Sequence, residues 1–365
     1  MAAARLQATI SAIFLVMDCP DASPAWRNHG RATLAKPPRW RARPGCTIED
    51  DSLTHPNTAS AAPRPLGRTG LSVSALGFGC SAYWAKPIFP EREALALLDQ
   101  AVEGGIRLFD TGPIYGSGHG ERRLGQALRS WGAPKDLVIC SKVGTHVGAD
   151  GRVFRDFSRE AVRTSVRRSL DRLGVDRLQG LHLHGPNIHE LKSPLLETLE
   201  ELKTEGLADF IGINAFDPAV IRLGVTLPVF DSFMVEYNLI HKANASLLEE
   251  IAAAGAAAIV GSPIAQALFR RSLWPTSRKR AWELARAVVR HPGDLRAARS
   301  YGFLNRLPDM TAAQAALAYV LRAPQVASAV FATTSREHLG LNIEAATMSL
   351  LDEVVQRIES LPDAR

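Results

Sequence analysis

The chain has 365 residues, of which 46% are hydrophobic, so it can bury a sizeable core as one large domain or two small ones. Its formal net charge of +6 comes from 43 basic and 37 acidic residues, and this near balance favours a solvated surface over a nucleic-acid partner. No stretch approaches the roughly 20 consecutive apolar residues that a transmembrane helix needs, so no membrane span is predicted.

The first 62 residues differ from the rest of the chain. Pro, Ser, Thr and Arg are scattered there without periodicity, which predicts a disordered N-terminal extension over residues 1–62. An upstream extension of the coding frame would look the same, and both interpretations stay open. The apolar run at 10–17 follows Arg5, but Asp18-Cys-Pro-Asp21 lacks the small residues of a signal-peptide cleavage site. Secretion is therefore not predicted.

The cysteines show neither CxxC spacing nor a nearby histidine pair, so they do not indicate a metal site. Reduced thiols are the expectation for such cysteines, and they favour a cytoplasmic location. The four are Cys19, Cys46, Cys80 and Cys140.

From residue 63 to residue 365 the pattern is regular and predicts one α/β domain. Leu66-Gly-Arg-Thr-Gly70-Leu-Ser-Val has the glycine punctuation of a β-hairpin. Eight short apolar runs typical of strands follow, at 75–79, 107–110, 137–141, 178–182, 210–214, 232–235, 257–261 and 327–331. Segments with helical periodicity lie between them, at 92–103, 120–129, 159–173, 194–204, 218–223, 245–254 and 311–322.

Strands and helices that alternate eight times predict a closed (β/α)₈ TIM barrel rather than an open doubly wound sheet. The absence of a G-x-G-x-x-G sequence after the first strand agrees with this fold. Residues 268–307 are irregular, because a further helix is predicted at 278–289 before the last barrel helix. Such a long loop covers a substrate or cofactor in one interpretation and is a plain surface insertion in the other.

Four residues that together can donate a proton follow successive strand-like runs. Asp110 and Tyr115 come after the second run, Lys142 after the third, and His184 after the fourth. A phenol has an unperturbed pKa of about 10 and delivers a proton at neutral pH only if a nearby cation stabilises its phenolate. A lysine supplies that cation, a carboxylate keeps the lysine charged, and an imidazole orients the group that is protonated.

Each of the four also has a plain structural explanation. Asp110 suits a turn before Thr-Gly-Pro, and Tyr115 suits a half-buried core ring. Lys142 suits a solvated strand end, and His184 a satisfied turn histidine. Their shared position after apolar runs favours the joint interpretation, because the C-terminal ends of parallel strands meet at one end of a barrel. His182 has the same strand parity as His184, and we favour His184 because it stands at the rim.

The motifs around these residues resemble the aldo-keto reductase family. The segment from Phe109-Asp110 through Tyr115-Gly-Ser-Gly-His-Gly-Glu121 to Leu128 matches that family's second strand, loop and helix. The resemblance covers roughly residue 64 to the C-terminus and implies that the hairpin closes the barrel floor. Further segments recur in the family's order, namely Ile211-Gly-Ile-Asn214, Val235-Glu236-Tyr-Asn238, Gly261-Ser262-Pro263 and Thr333 to Asn342.

The resemblance implies an NAD(P)-dependent oxidoreductase that reduces an aldehyde or ketone, or oxidises an alcohol or sugar hemiacetal. Tyr115 would then be the general acid, and Lys142 would lower its pKa. Asp110 would pair with Lys142, and His184 would orient the carbonyl. A regulatory, redox-sensing subunit with little turnover is the alternative that the family suggests. A Schiff-base role for Lys142 in an aldolase-like barrel leaves the cofactor motifs unexplained.

The resemblance also implies a nicotinamide cofactor across the barrel mouth, with NADP(H) preferred and NAD(H) usable. Ala332 and His338 depart from the cationic residues that many members place at the 2′-phosphate, and Arg336 is a candidate substitute because its guanidinium is always charged. Met234 and Ala215 replace an amide pair that many members use at the nicotinamide. The implied cofactor-binding residues are Gly79, Asn214, Ser262, Pro263, Thr333, Thr334, Arg336, His338 and Asn342.

The partner is expected to be a small carbonyl compound or sugar, and the sequence does not choose between them. Tyr83, Trp84 and Phe89, after the first strand, suit either an apolar pocket or ordinary packing. Specificity resides in such loops, whose shapes one sequence does not reveal.

Overall fold

The computed structural model describes residues 62–132, 134–148, 150–265 and 292–363. Eight parallel strands close into a barrel within these residues, which confirms the predicted (β/α)₈ fold. The extension predicted over residues 1–62 falls outside them except for its last residue, and the helix predicted at 278–289 lies wholly outside them.

Two short antiparallel pairs accompany the barrel strands, and both pairs are hairpins. In chain order the strands are β1 (Arg64–Pro65), β2 (Ser72–Val73), β3 (Leu76–Gly79), β4 (Leu108–Asp110), β5 (Val138–Val143), β6 (Thr145–Val147), β7 (Val153–Arg155), β8 (Leu178–His184), β9 (Ala208–Asn214), β10 (Ser232–Glu236), β11 (Ala257–Gly261) and β12 (Val326–Phe331). The barrel closes where β12 pairs with β3, with Ala329 opposite Leu76. The hairpin β6–β7 was not predicted.

Helices lie between the strands at the positions that the periodicity indicates, and α7, α9 and α10 are additional to the predicted segments. They are α1 (Glu91–Glu103), α2 (His119–Ser130), α3 (Arg159–Leu173), α4 (Leu195–Thr204), α5 (Pro218–Val225), α6 (Ala245–Ala253), α7 (Pro292–Arg299), α8 (Ala312–Leu321), α9 (Arg336–Glu344) and α10 (Asp352–Ser360). No helix in the described part of the chain is long and apolar enough to span a membrane.

Local sequence signals set the ends of several helices. Ser158 caps α3, because its side chain accepts a hydrogen bond from the backbone N–H of Ala161 at 3.4 Å. The helix ends at Gly174, whose φ of 68° is left-handed and favours glycine. A capping box formed by Thr311 and Gln314 begins α8. Serine and threonine are preferred at helix N-caps, so both helix starts agree with the local sequence.

The hairpin β1–β2 closes the N-terminal end of the barrel, as the resemblance implied. Its connecting turn packs against the start of β11, since the N–H of Arg68 donates to the carbonyl of Gly255 at 2.9 Å. Gly67 has φ +53°, and a Cβ there would lie 2.6 Å from the backbone nitrogen of Ala257. The hairpin contributes Leu66 and Val73 to a buried interior cluster that also contains Leu108, Val138, Cys140, Phe210, Met234, Ala257, Ile259, Ala327 and Val330.

A second and larger apolar layer fills the space between the strands and the helices. Trp84 and Phe89 belong to this layer and are buried, so they serve packing, whereas Tyr83 is half-buried. With the interior filled and the floor closed, the C-terminal ends of the strands remain as the place for a site.

Candidate active site

Asp110, Lys142 and His184 lie at or next to the C-terminal ends of β4, β5 and β8. The ammonium of Lys142 donates to Oδ1 and Oδ2 of Asp110 at 2.5 and 2.6 Å, and to the carbonyl of Thr111 at 2.9 Å. The Lys142 side chain is completely buried, with 0% exposed. A buried charge is tolerated when it is paired and hydrogen-bonded, and this ammonium is both.

Tyr115 joins this group from the loop between β4 and α2. Its ring centroid lies 4.9 Å from Lys142 Nζ, and the ring meets the His184 imidazole edge to face, with centroids 5.9 Å apart. Gly116 fixes the turn that follows, because its φ is +58° and a Cβ there would lie 1.8 Å from the carbonyl oxygen of Ala85. The structure therefore brings together all four predicted catalytic residues.

The electrostatics keep Lys142 protonated. Burial by itself lowers the pKa of Lys142, but attraction to Asp110 and Tyr115 and hydrogen bonds to both outweigh it, so the pKa lies well above the usual lysine value. A permanent positive charge therefore sits beside the phenol ring. That charge can stabilise negative charge on the Tyr115 oxygen.

The two histidines of β8 occupy different depths. His182 is fully buried, its register partner is Lys142, and its Nε2 lies 3.0 Å from the hydroxyl of Ser232. His184 is the last residue of β8, pairs in register with Asn214 and contacts Tyr115. Its position at the rim agrees with the choice of His184 over His182.

Both histidines are neutral near physiological pH. Burial, aided by repulsion from Lys142, lowers the pKa of His184 to about 3. Burial together with the charges of Lys142 and His184 does the same for His182. The Nδ1 atoms of both rings are buried without a hydrogen-bond partner, which also disfavours a charged imidazolium. A neutral His184 can donate one hydrogen bond to a carbonyl oxygen.

These shifts predict that acid weakens the fold. In the unfolded chain histidine titrates near pH 6.5, so below that pH the unfolded state binds more protons than the folded state. The contribution of the two neutral histidines to the stability of the folded state is therefore complete above about pH 6.5 and is lost as the pH falls towards 3. When the pH is lowered from 7 to 5, the unfolding free energy should fall by on the order of 2 kcal/mol for each histidine.

Urea unfolding at the two pH values measures this loss. The variant His184→Gln should lose about half of the histidine contribution to the pH dependence. His189→Gln, which changes an exposed histidine in the next loop, is the matched control and should leave it unchanged. Equal pH dependence in wild type and His184→Gln would contradict the neutral assignment.

A buried ionic network that the sequence analysis missed supports the site from below. Glu121 on α2 is fully buried and accepts hydrogen bonds from the Ser141 hydroxyl at 2.7 Å and from Arg172 Nη1 at 2.8 Å. Ser141 directly precedes Lys142, and Arg172 lies against Gly118 in the loop that carries Tyr115. A glutamate within a glycine-rich segment could have indicated a buried ion pair, but the sequence does not identify its partner, because Arg172 is 51 residues away.

Four of the predicted cofactor-binding residues lie at or next to the C-terminal ends of β3, β9 and β11. Gly79 ends β3, where a Cβ would lie 3.4 Å from the carbonyl oxygen of Phe331. The Asn214 amide donates to Met234 Sδ at 2.6 Å. Ser262 has φ +54°, its carbonyl accepts from the amide of Asn238 at 3.2 Å, and Pro263 follows it.

The remaining predicted cofactor-binding residues lie in α9 and in the segment between β12 and α9. Ser335 caps this helix by accepting from the N–H of His338 at 3.2 Å, and the hydroxyl of Thr333 accepts from the N–H of Ser335. The exposed Arg336 donates from Nε to Oε1 of Gln100 on α1 at 3.2 Å. Thr334 lies beside them, and Asn342 is buried two turns along the helix. Hydroxyls, a guanidinium and a helix N-terminus form a donor set that suits a phosphate.

Residues 75–363 match the model of the Aldo/keto reductase family. This chain belongs to that family. The expectation drawn from the motifs around Tyr115 is therefore confirmed, and the chain is an oxidoreductase.

Relatives of this aldo/keto reductase cover most of its length. It is 29% identical to L-galactose dehydrogenase of Arabidopsis thaliana over 82% of this chain and 95% of the relative. It is 31% identical to D-threo-aldose 1-dehydrogenase of a Pseudomonas species over 58% of this chain and 70% of the relative. An aldo-keto reductase of Bacillus halodurans, solved in its holo form, superposes with a TM-score of 0.68 at 27% identity, covering 84% of this chain and 97% of that one.

Proposed function

We propose that this aldo/keto reductase is an NAD(P)-dependent enzyme that reduces an aldehyde or ketone, or in reverse oxidises an alcohol or sugar hemiacetal. The observation that carries the proposal is the buried Lys142 ammonium, which is bonded to both Asp110 oxygens and lies 4.9 Å from the Tyr115 ring. Family members similar to this chain are named as sugar dehydrogenases, which supports hydride chemistry at a carbon–oxygen bond.

The four residues divide the work at the carbonyl. Tyr115 donates its proton to the carbonyl oxygen, and Lys142 stabilises the phenolate that remains. Asp110 keeps Lys142 charged and holds its position. The neutral His184 donates a hydrogen bond that orients the carbonyl towards Tyr115. When bound, the nicotinamide cofactor supplies the hydride.

The other predicted residues hold that cofactor in this proposal. Asn214 binds the carboxamide, and Ser262 and Pro263 border the pyrophosphate. Gly79 leaves room at the first strand end. The donor set of Thr333, Thr334, Arg336, His338 and Asn342 takes the adenosine end, and its hydroxyls and guanidinium suit a phosphate there.

The guanidinium of Arg336 favours NADP(H) over NAD(H), with NAD(H) still usable. Fluorescence titration should give a lower Kd for NADPH than for NADH, and Arg336→Gln should remove the difference. The variant keeps a polar side chain near Gln100 but loses the charge. Markedly tighter binding of NADH to the wild-type protein would overturn the preference.

A cofactor-coupled assay tests the proposed function as a whole. Purified protein is mixed with NADPH and a panel of aromatic and aliphatic aldehydes, or with NADP⁺ and aldoses, and the absorbance of the reduced cofactor is followed. The enzyme should turn over at least one class. Cofactor binding with negligible turnover on every class would instead favour the regulatory, redox-sensing subunit. We also propose a cytoplasmic location, since the described cysteines Cys80 and Cys140 are free thiols.

A further inference from the structure

A cavity of about 420 Å³ lies beside the loop that carries Tyr115. Its walls are that loop, the hairpin β6–β7 and one side of α3, and none of the four proposed catalytic residues is among the described residues that line it. Small-molecule sites are of this size, roughly 300–1,000 Å³. The structure therefore has room for a ligand outside the place assigned to the carbonyl.

Hydrogen-bond donors line the α3 side of this cavity. Ser165, Arg168 and Arg172 all contribute to its wall. They stand three and four residues apart, so their side chains share one face of the helix. Ser117 brings a further hydroxyl to the wall that the Tyr115 loop forms. Two guanidinium groups and two hydroxyls are thus gathered around one space.

Most of these donors have no partner inside the protein. Within the described part of the chain, the side chains of Ser117, Ser165 and Arg168 make no hydrogen bond or ion pair. Ser165 is only 6% exposed, so bulk water has little access to its hydroxyl. A buried hydroxyl without a partner is unfavourable, and buried polar groups are ordinarily hydrogen-bonded. The unsatisfied hydroxyl of Ser165 therefore indicates that an acceptor belongs in the cavity.

Arg172 keeps donors for a ligand although it takes part in the buried network. Its Nη1 donates to Glu121 at 2.8 Å, and 25% of its side chain is exposed. A guanidinium has five N–H donors, so it can bond to Glu121 and to a ligand together. Glu121 balances the charge of Arg172, which leaves the charge of Arg168 uncompensated. This end of the cavity therefore attracts an anion.

Carboxylates lie at the opposite end of the cavity. Asp156 and Glu160 also line it, close to the beginning of α3. Oδ1 of Asp156 accepts the N–H of Ser158 at 2.9 Å, so that carboxylate is already engaged. Glu160 and Arg168 lie about 12 Å apart along the helix axis, at about 1.5 Å per residue. A ligand that fits both ends carries its negative charge near the arginines and hydroxyl or amino groups near Glu160.

We propose that this cavity is a phosphate-binding site, for inorganic phosphate or a small phosphate monoester, separate from the site of carbonyl reduction. Arg168, Arg172 and Ser165 bind the phosphate oxygens, and Ser117 adds a donor from the loop. Guanidinium groups bind phosphate through paired hydrogen bonds. A carboxylate has only two oxygens, fewer than this donor set can serve. The site is distinct from the cofactor phosphate proposed at Arg336, and it does not depend on the proposed function.

Isothermal titration calorimetry of the full chain with inorganic phosphate tests the proposal, with the ionic strength held constant by sodium chloride. Binding should saturate with a Kd of about 1 mM or lower, and acetate should bind at least about tenfold more weakly. Arg168→Gln should raise the Kd about tenfold and Ser165→Ala about threefold, since each variant removes a donor. Arg167→Gln is the matched control, because the neighbouring Arg167 is also exposed but is not among the described residues that line the cavity. It should leave the Kd unchanged.

Absence of saturable binding, or equal binding of acetate, would overturn the proposal. A loss of phosphate binding in Arg336→Gln but not in Arg168→Gln would also overturn it, because the phosphate would then occupy the proposed cofactor site. Glycerol 2-phosphate distinguishes the two sources of the phosphate group. Tighter binding than inorganic phosphate supports a monoester as the ligand, and weaker binding supports free phosphate.

Inhibition kinetics test whether the phosphate site is separate from the carbonyl site, and this arm rests on the proposed function. A carbonyl compound that the protein reduces should keep its KM when phosphate saturates the cavity. Competitive inhibition by phosphate would place the anion at the carbonyl, which would overturn the separate site and leave the proposed function intact. If no carbonyl compound turned over, the proposed function would fail, and the titration would still decide the phosphate site.

Discussion

Replacing Tyr115 by phenylalanine is expected to lower kcat for carbonyl reduction by about 10² to 10⁴-fold, the usual contribution of general acid catalysis. The variant keeps the ring 4.9 Å from Lys142 Nζ and its edge contact with His184, so the packing of the site is preserved. Only the hydroxyl is lost. Steady-state kinetics with a reactive aromatic aldehyde measure the effect.

Cofactor titration and urea unfolding are the controls for Tyr115→Phe. Cofactor binding should match wild type, because the hydroxyl is proposed to act on the carbonyl oxygen and not on the cofactor. The unfolding free energy should fall by about 1.5–3 kcal/mol at most, because the variant loses the hydrogen bond between the Tyr115 hydroxyl and the Lys142 ammonium. A wild-type rate of reduction in this variant would remove Tyr115 from the mechanism. A lower rate accompanied by equally weakened cofactor binding would assign the residue to binding.

Replacing Lys142 by methionine should abolish reduction and also lower the unfolding free energy by about 3–5 kcal/mol, since breaking a buried ion pair leaves one charge without its partner. Here the remaining charge is the carboxylate of Asp110, which accepts two hydrogen bonds from the Lys142 ammonium. Arg222→Met is the matched control, because it breaks an exposed pair with Glu250 and should cost at most about 1 kcal/mol.

The double variant Asp110→Asn with Lys142→Met separates the two effects of the lysine. Removing both charges should restore most of the stability, because no buried charge is left without a partner. Activity should not return, since no cation then stabilises the phenolate of Tyr115. If the double variant recovered turnover, Lys142 would have only a structural role.

The barrel and the grouping of the four residues could be predicted because each depends on local patterns. Short apolar runs alternate with amphipathic segments, and this order alone specifies strands that meet at one end. Asp110, Lys142 and His184 stand at the ends of such runs, so the closed barrel brings them together without further information. The strand bounds differ from the prediction by at most two residues at either end.

Features that depend on distant partners could not be predicted. The hairpin β6–β7 has only three residues in each strand, and Arg155 fastens it to a carbonyl 30 residues away. Arg336 was predicted as a candidate for the cofactor phosphate, but its hydrogen bond to Gln100, which lies 236 residues earlier, could not be predicted. Ile188 and Phe216 are exposed on the loops that follow β8 and β9, and the sequence does not specify the shapes of these loops.

The closed barrel floor also restricts the route by which hydrogen ions reach the site. Leu66 and Val73 close the lower end of the barrel. Lys142 has no exposed surface, so water cannot return a proton to Tyr115 through it. In the proposed mechanism the phenol must regain its proton from the upper opening, which the bound substrate covers. Reprotonation of Tyr115 would then follow departure of the product. Slow release of the product would therefore delay both the binding of the next substrate and the reprotonation of Tyr115.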